Sequence, residues 1–336
     1  MTTSELTEQR LIGESNAIGE VLEQVSLLAA IARPILVVGE RGTGKELIAH
    51  RLHYLSPRWQ NPFITINCAS LNEALLETEL FGHEAGAFTG AQRRHHGRFE
   101  RADGGTLFLD EVATMSDRLQ EKLLRVIEYG EFERVGGQQP IRVNVRLVCA
   151  THEHLPARVA AGTFRADLLD RLAFDVITLP PLRARQDDIL LLAHFFANNL
   201  AAELGHIGFS GFSATVMQQL QQHAWPGNVR ELRNVIERSV YRYGQPDQPL
   251  DRLCINPFSS PWRPERAVET TPTVKIPVNW LAHMAEYERH LLAELLQAAR
   301  FNQRMAAQMV GLSYDQLRGL IKKHGLSTRP PEMSNN

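Results

Sequence analysis

A lysine set behind spaced glycines, and two adjacent carboxylates closing an apolar run, are the residues of this chain best suited to chemistry. The first group is Gly39-Glu40-Arg41-Gly42-Thr43-Gly44-Lys45-Glu46. Its G-x-x-x-x-G-K spacing follows a short apolar strand, Ile35 to Val38, and opens a predicted helix from Lys45 to about Leu55. In that context backbone N–H groups and the helix N-terminus cradle phosphates, and Lys45 reaches the terminal oxygens. Taken bare, the same residues make a glycine turn before a helix. Glu46 stands where most such loops carry a magnesium-binding Ser or Thr. The second group ends the run Gly104-Gly105-Thr106-Leu107-Phe108-Leu109-Asp110-Glu111. An apolar strand delivers both acids to the C-terminal edge of a sheet, where ligands bind in open α/β folds. Asp110 suits a Mg²⁺ ion, and Glu111 suits a base that polarises an attacking water. The bland alternative is a solvated pair of strand-end acids. Asn67 ends a neighbouring strand and by itself reads as a cap.

The elements that must position these groups alternate. Strands are predicted at Ile35–Val38, Phe63–Asn67, Leu107–Leu109 and Val145–Ala150, with helices between them, as at Asp117 to Tyr129. Short buried strands alternating with helices imply an α/β fold with a parallel sheet covered on both faces. Pro180-Pro181 breaks the pattern, and from Asp187 to Gly244 it is helical only, so a small α-helical lid is expected. Five prolines between Asn256 and Asn279 mark a semi-extended linker. The expected organisation is an α/β part over 1–179, a lid over 180–255, a linker over 256–279 and a C-terminal module over 280–328. Hydrophobic residues make up 43% of the 336, so a sizeable core can be buried, and the net charge of −2 argues against a wholly basic nucleic-acid binder. Cys68, Cys149 and Cys254 lack CxxC spacing and read as buried small hydrophobes. No apolar run approaches the ~18–20 residues of a membrane span. The first ten residues lack a signal-peptide core, so a cytoplasmic location is expected.

Other stretches hold open readings. Gly86-Ala87-Phe88-Thr89-Gly90-Ala91 is a loop with an aromatic and a hydroxyl between glycines, either a surface turn or a contact device. Glu131 to Gly137 reads as a Gly-containing hairpin. Arg165 and Arg171 lie six residues apart and by themselves read as surface salt-bridge partners. Asn228, in Trp225-Pro226-Gly227-Asn228-Val229-Arg230, is a candidate helix N-cap. Trp59 sits in a polar turn, where it either packs on the core or stands exposed as a docking residue. Residues 300 to 310 read as a helix, Gly311 as a tight turn, and Tyr314 to Lys323 as a second helix capped by Ser313, with Leu317, Leu320 and Ile321 inside. From Arg300 to Arg329 there are six Lys or Arg against one acid. That is a helix-turn-helix with a basic face, or else a plain helical hairpin. Arg304, Tyr314, Gln316, Arg318, Lys322 and Lys323 are its candidate DNA contacts.

Taken together and in order, these motifs resemble bacterial enhancer-binding proteins, the AAA+ ATPases that activate sigma-54 RNA polymerase. The six residues Gly86 to Ala91 match the family's GAFTGA signature completely, and the resemblance runs from about Ile12 to Leu326. It implies an AAA+ core with ATP and Mg²⁺ as cofactors. The loop Gly86 to Ala91 would touch sigma-54, with Glu131 to Gly137 a second pore-facing loop. Glu46 is the family's own residue, while Arg41 is unusual. The resemblance casts Asn67 as the group that holds Glu111 until hydrolysis is due. Thr151 takes the sensor I position, followed by His152 where relatives commonly carry Asn, and Arg230 takes sensor II. Arg165 and Arg171 become fingers for a neighbour's ATP, which implies a homo-oligomeric, hexameric ring. A Fis-type helix-turn-helix would bind upstream enhancer DNA. Few residues precede the ATPase region, and the resemblance implies a phage shock (membrane stress) operon under negative control by phage shock protein A, with Trp59 the candidate docking residue. Two other readings stand beside it: an AAA+ remodeller of another protein, and a DNA-binding repressor with a vestigial ATPase.

Overall fold

The computed structural model describes residues 11–245, 247–258, 262 and 279–326. The chain divides into two compact units, Met1–Ser259 and Ser260–Asn336. Most of the expected linker lies outside the described residues, as does Arg329.

In the first unit the order is α1 (Asn16–Ala29), β1 (Ile35–Val38), α2 (Lys45–Tyr54), β2 (Phe63–Asn67), α3 (Glu73–Phe81), α4 (Arg98–Arg101), β3 (Thr106–Asp110), α5 (Asp117–Tyr129), β4 (Glu131–Glu133), β5 (Pro140–Arg142), β6 (Arg146–Thr151), α6 (Leu155–Ala160), α7 (Ala166–Leu172) and β7 (Val176–Thr178). Five strands form a parallel sheet in the order β2-β3-β6-β1-β7, and β4 pairs with β5 in an antiparallel hairpin. Alternation along each strand explains the two layers of helices. Ile35, Val37, Phe108, Val148 and Ala150 pack on one face with α1 and α2. Leu36, Leu107, Leu109, Leu147 and Cys149 pack on the other with α3, α5 and α7. Burial on both faces is why these strands read as continuous apolar runs.

Arg146 opens β6 almost fully buried, at 1% exposure. Its guanidinium donates to the carbonyls of Leu28, Ala29 and Leu52 at 2.8, 2.8 and 3.2 Å. One charge thus caps the C-terminal ends of α1 and α2, where the helix dipoles favour a cation. Burial, with Arg58 nearby, still lowers its pKa to about 10.

The lid follows as α8 (Gln186–Glu203), α9 (Ala214–Gln222) and α10 (Asn228–Tyr243), around a core centred on Trp225, Leu192, Val216 and Ile236. The buried carboxylate of Asp188 ties the start of the chain to it. It accepts from Glu14 N–H, Ser15 N–H, the Ser15 hydroxyl and Arg185 at 2.6 to 2.9 Å. Burial pushes its pKa up, and those four donors outweigh burial and hold it below the ordinary value.

The second unit contains α11 (Trp280–Ala298), α12 (Gln303–Met309) and α13 (Tyr314–Lys323). Its core joins Leu292, Leu296, Ala306, Leu317 and Ile321. Gly311 turns with φ +67°, and Ser313 with Gln316 makes a capping box at α13. The first of the two expected helices starts at Gln303 rather than Arg300. Arg300 and Phe301 take left-handed backbone, and Asn302 caps the helix. Among the described residues, no helix is long and apolar enough to cross a membrane.

Candidate ATP site and partner-facing loops

Gly39 to Glu46 joins β1 to α2. Gly42 and Gly44 have φ of +79° and +100°, conformations that favour glycine. Lys45 is buried and donates to the carbonyls of Gly39 at 3.0 Å and Glu40 at 3.4 Å. Burial lowers its pKa against the pull of Glu111 and Asp110. A buried ammonium over a glycine cradle, at the N-terminus of a ten-residue helix, fits the terminal phosphates of ATP.

The lid closes over this loop. Asn228 is not an N-cap: Gly227 holds that position, and the Asn228 amide donates to Glu40 Oε2 at 3.1 Å and Arg41 O at 3.0 Å. Its oxygen accepts from Leu182 N–H at 2.8 Å, and its own φ is +53°. Arg183 clasps the other side of Glu40 at 2.6 and 2.9 Å. The Arg183 guanidinium and the Asn228 amide hold the Glu40 carboxyl at about 2. Arg230 N–H donates to Gly42 O at 3.3 Å, which sets this exposed side chain beside the phosphate loop. Thr43 is buried, its hydroxyl bonded to Glu40 O at 2.8 Å, whereas Arg41 and Glu46 are exposed. Glu40 was legible as a loop residue, but its role as the junction to the lid had no signal in one sequence.

Asp110 and Glu111 stand at the end of β3. Burial and the neighbouring Glu111 raise the Asp110 pKa against the pull of Lys45. No cluster of three or more His, Cys, Asp or Glu able to hold a metal occurs among the described residues. The Asp110 carboxylate beside a phosphate cradle suits Mg²⁺, which keeps its waters and uses phosphate oxygens. Asn67 departs from expectation: its amide donates to Asp110 Oδ2 at 3.0 Å rather than to Glu111. Glu111 is met instead by His152, with Nδ1 at 2.6 Å from Oε2. Thr151 is fully buried between the ends of β3 and β1, its carbonyl accepting from Gly39 N–H at 3.3 Å.

Arg165 donates to Asp167 at 2.8 and 3.1 Å, and Arg171 to Glu128 at 3.0 Å. Both side chains reach solvent, and these partners lie on α7 and α5 rather than on the phosphate loop.

The loop Gly86 to Ala91 is closed by Gly86 N–H to Ala91 O at 2.7 Å. Phe88 is 47% exposed, edge-on to His83 at 4.9 Å. Thr89 and Gly90 are exposed. Ala91 is buried and forms the base of the loop, so it presents no contact surface. The second loop is joined to the first. Arg134 bonds Glu84 at 2.6 Å and Glu100 at 2.5 Å, and Val135 exchanges backbone bonds with Gly82 and Glu84. Trp59 is 53% exposed, near the exposed Tyr54, which removes the core-packing alternative.

In the second unit Arg304, Tyr314, Arg318 and Lys322 are exposed. Gln316 spends its carbonyl on Ser313 N–H at 2.9 Å, and Lys323 pairs with Glu288 at 2.9 Å. Both side chains stay exposed beside these contacts.

Residues 11–178 match the sigma-54 interaction domain family, and residues 183–253 the AAA+ ATPase lid domain. The chain is 60% identical over 320 residues to the Psp operon transcriptional activator of Escherichia coli K12, covering 94% of this chain and 98% of that protein. The chain belongs to the sigma-54-dependent activators. It is an AAA+ ATPase that uses ATP to act on sigma-54 polymerase, so neither a vestigial ATPase nor a different target class remains in play. It is also 43% identical to the Nif-specific regulatory protein of Klebsiella pneumoniae, over 91% of this chain and 57% of that one. Among solved structures, NtrX from Brucella abortus in complex with ATP superposes with a TM-score of 0.68 at 33% identity, covering 96% of this chain and 72% of that one.

Proposed function

We propose that this activator opens sigma-54 promoters of a phage shock operon, working as a hexameric ring from upstream enhancer DNA under restraint by phage shock protein A. The observation that carries the reading is one α/β core bearing both an intact phosphate site and, between α3 and α4, a complete GAFTGA loop with an exposed Phe88. Its 60% identity to the Psp operon activator supports the choice of operon.

In this reading Gly39 to Lys45 bind the phosphates and the Glu40–Arg183–Asn228 contact seats the lid. Asp110 would hold magnesium, which would screen phosphate charge. Glu111 takes the proton from the attacking water, and Thr151 and Arg230 read the nucleotide state. Arg165 and Arg171, paired away from their own phosphate loop, turn to a neighbour's ATP in the ring. Phe88 and Thr89 press on sigma-54, with the hairpin held to them by Arg134. Arg304, Tyr314, Arg318 and Lys322 meet DNA. Parts 1–179, 180–255, 256–279 and 280–328 are ATPase core, lid, linker and DNA module, and Trp59 docks the regulator. The protein works in the cytoplasm.

Transcription from a psp promoter with its upstream site, sigma-54 polymerase and ATP tests this. Opening should need hydrolysis, be abolished by Glu111→Gln, and be repressed by phage shock protein A unless Trp59 is Ala. Opening driven by a non-hydrolysable ATP analogue would overturn the reading.

A further inference from the structure

We propose that His152 is the positioning residue for Glu111, orienting the hydrolytic carboxylate from the end of β6. The proposal rests on the reading of Glu111 as the group that polarises water. Its first support is the contact itself. His152 Nδ1 lies 2.6 Å from Glu111 Oε2, and the two side chains are 24% and 14% exposed. A carboxylate oxygen accepts, so the facing imidazole nitrogen carries a proton. A short bond to an ionised acceptor is among the stronger kinds.

The second support is where the neighbouring amide goes. Asn67 Nδ2 donates to Asp110 Oδ2 at 3.0 Å, and Asn67 Oδ1 accepts from Ala69 N–H at 2.9 Å. That amide stabilises the other carboxylate and its own turn. The Glu111 carboxylate is met by His152 instead.

The third support is the frame around the pair. Glu111 has φ +54° and ψ +46°, a strained setting for a residue with a Cβ. Its carbonyl accepts from Thr114 N–H at 3.0 Å and the Thr114 hydroxyl at 2.8 Å, and its N–H donates to Asp110 Oδ1 at 3.0 Å. With the backbone fixed this way, the freedom left to Glu111 is in its side-chain torsions. His152 removes that freedom through one oxygen and leaves Oε1 for water. In the sheet β6 lies between β3 and β1, so a residue just past its end stands between Glu111 and the phosphate loop.

Three substitutions separate positioning from packing. Histidine Nδ1 and asparagine Nδ2 stand equally many bonds from Cα. His152→Asn therefore keeps a donor in place, His152→Gln carries it one bond further, and His152→Ala removes it. ATP turnover by Ala and Gln should fall about 100-fold, the cost of a small misplacement at a reacting group. Binding of a fluorescent ATP analogue should stay within about twofold, since Lys45 and the glycine cradle are untouched. The Asn variant should turn over within several-fold of the original. Wild-type turnover by His152→Ala would overturn the proposal. So would equal activities of Asn and Gln, or losses of nucleotide binding that match the losses of turnover. Glu111→Gln run beside them tests the underlying reading: if it turns over normally, Glu111 is not the base, whatever His152 does.

Discussion

The phosphate loop and the GAFTGA loop are both glycine-rich, and each holds two glycines at positive φ, yet they use them in opposite ways. At Gly42 a side chain would stand 2.3 Å from Gly227 O and 2.9 Å from Arg230 Cβ. Here glycine permits the lid backbone to touch the loop. At Gly86 and Gly90, with φ of +82° and +105°, a Cβ would meet nothing within 4 Å. There glycine serves only to bend the chain, and the tip is left in solvent. A sequence shows glycine in both places. Only packing tells a glycine that admits a neighbour from one that makes a corner. The difference matches the division of labour: one loop must hold a nucleotide still between two subdomains, and the other must reach outward.

Gly42→Ala should have the largest effect. The clash is with backbone, so the lid must withdraw and take the Asn228 contacts to Glu40 and Arg41 with it. The left-handed φ adds roughly 1–2 kcal/mol. ATP turnover should drop about 100-fold or more, because displacement of order 1 Å at a reacting site costs that much. Turnover assays with a fluorescent-nucleotide titration measure both consequences. Near-normal turnover would mean that the lid need not touch the loop.

Phe88→Ala should split what Gly42→Ala destroys together. Phe88 is 47% exposed and its ring contact is with His83, outside the phosphate site. Hydrolysis should stay within a few-fold of the original while sigma-54 promoter opening is lost, a loss expected of a large aromatic anchor. Parallel ATPase and open-complex assays read the two. Retained promoter opening would break the assignment of this loop to the partner.

Much of this contrast was legible beforehand. The strands were visible because burial on both faces makes them unbroken apolar runs, as at Ile35–Val38 and Leu107–Leu109. The last helix of the C-terminal unit, α13, was visible because Gly311 and Ser313 punctuate its start. Other features were not. Strand β7 is three residues long, too short for a period to show. Helix α1 had no clear start, since the Ser15 hydroxyl bonds Asp188 instead of capping. The partners of Asn67, Asn228 and Gln316 escaped for a shared reason. An amide has both donor and acceptor, and its choice among neighbours is made by packing between distant segments. His152 stood out as an unusual residue type, but its bond to Glu111 spans 41 positions and needed the sheet to bring it about.

Gly86→Ala and Gly90→Ala should give the smallest effects, and they calibrate the comparison. Both share the positive-φ term with Gly42→Ala and lack the steric one, because open space surrounds each Cβ. The cost should be about 1–2 kcal/mol, confined to the loop and its Gly86 to Ala91 closure. In a unit of this size that amounts to a fall in Tm of only a few degrees. ATP turnover should remain close to the original, since neither glycine touches the phosphate loop. The difference in unfolding free energy between Gly42→Ala and Gly86→Ala then isolates the packing of lid on loop. Equal destabilisation by the two would show that φ alone governs both sites and that the lid contact contributes little.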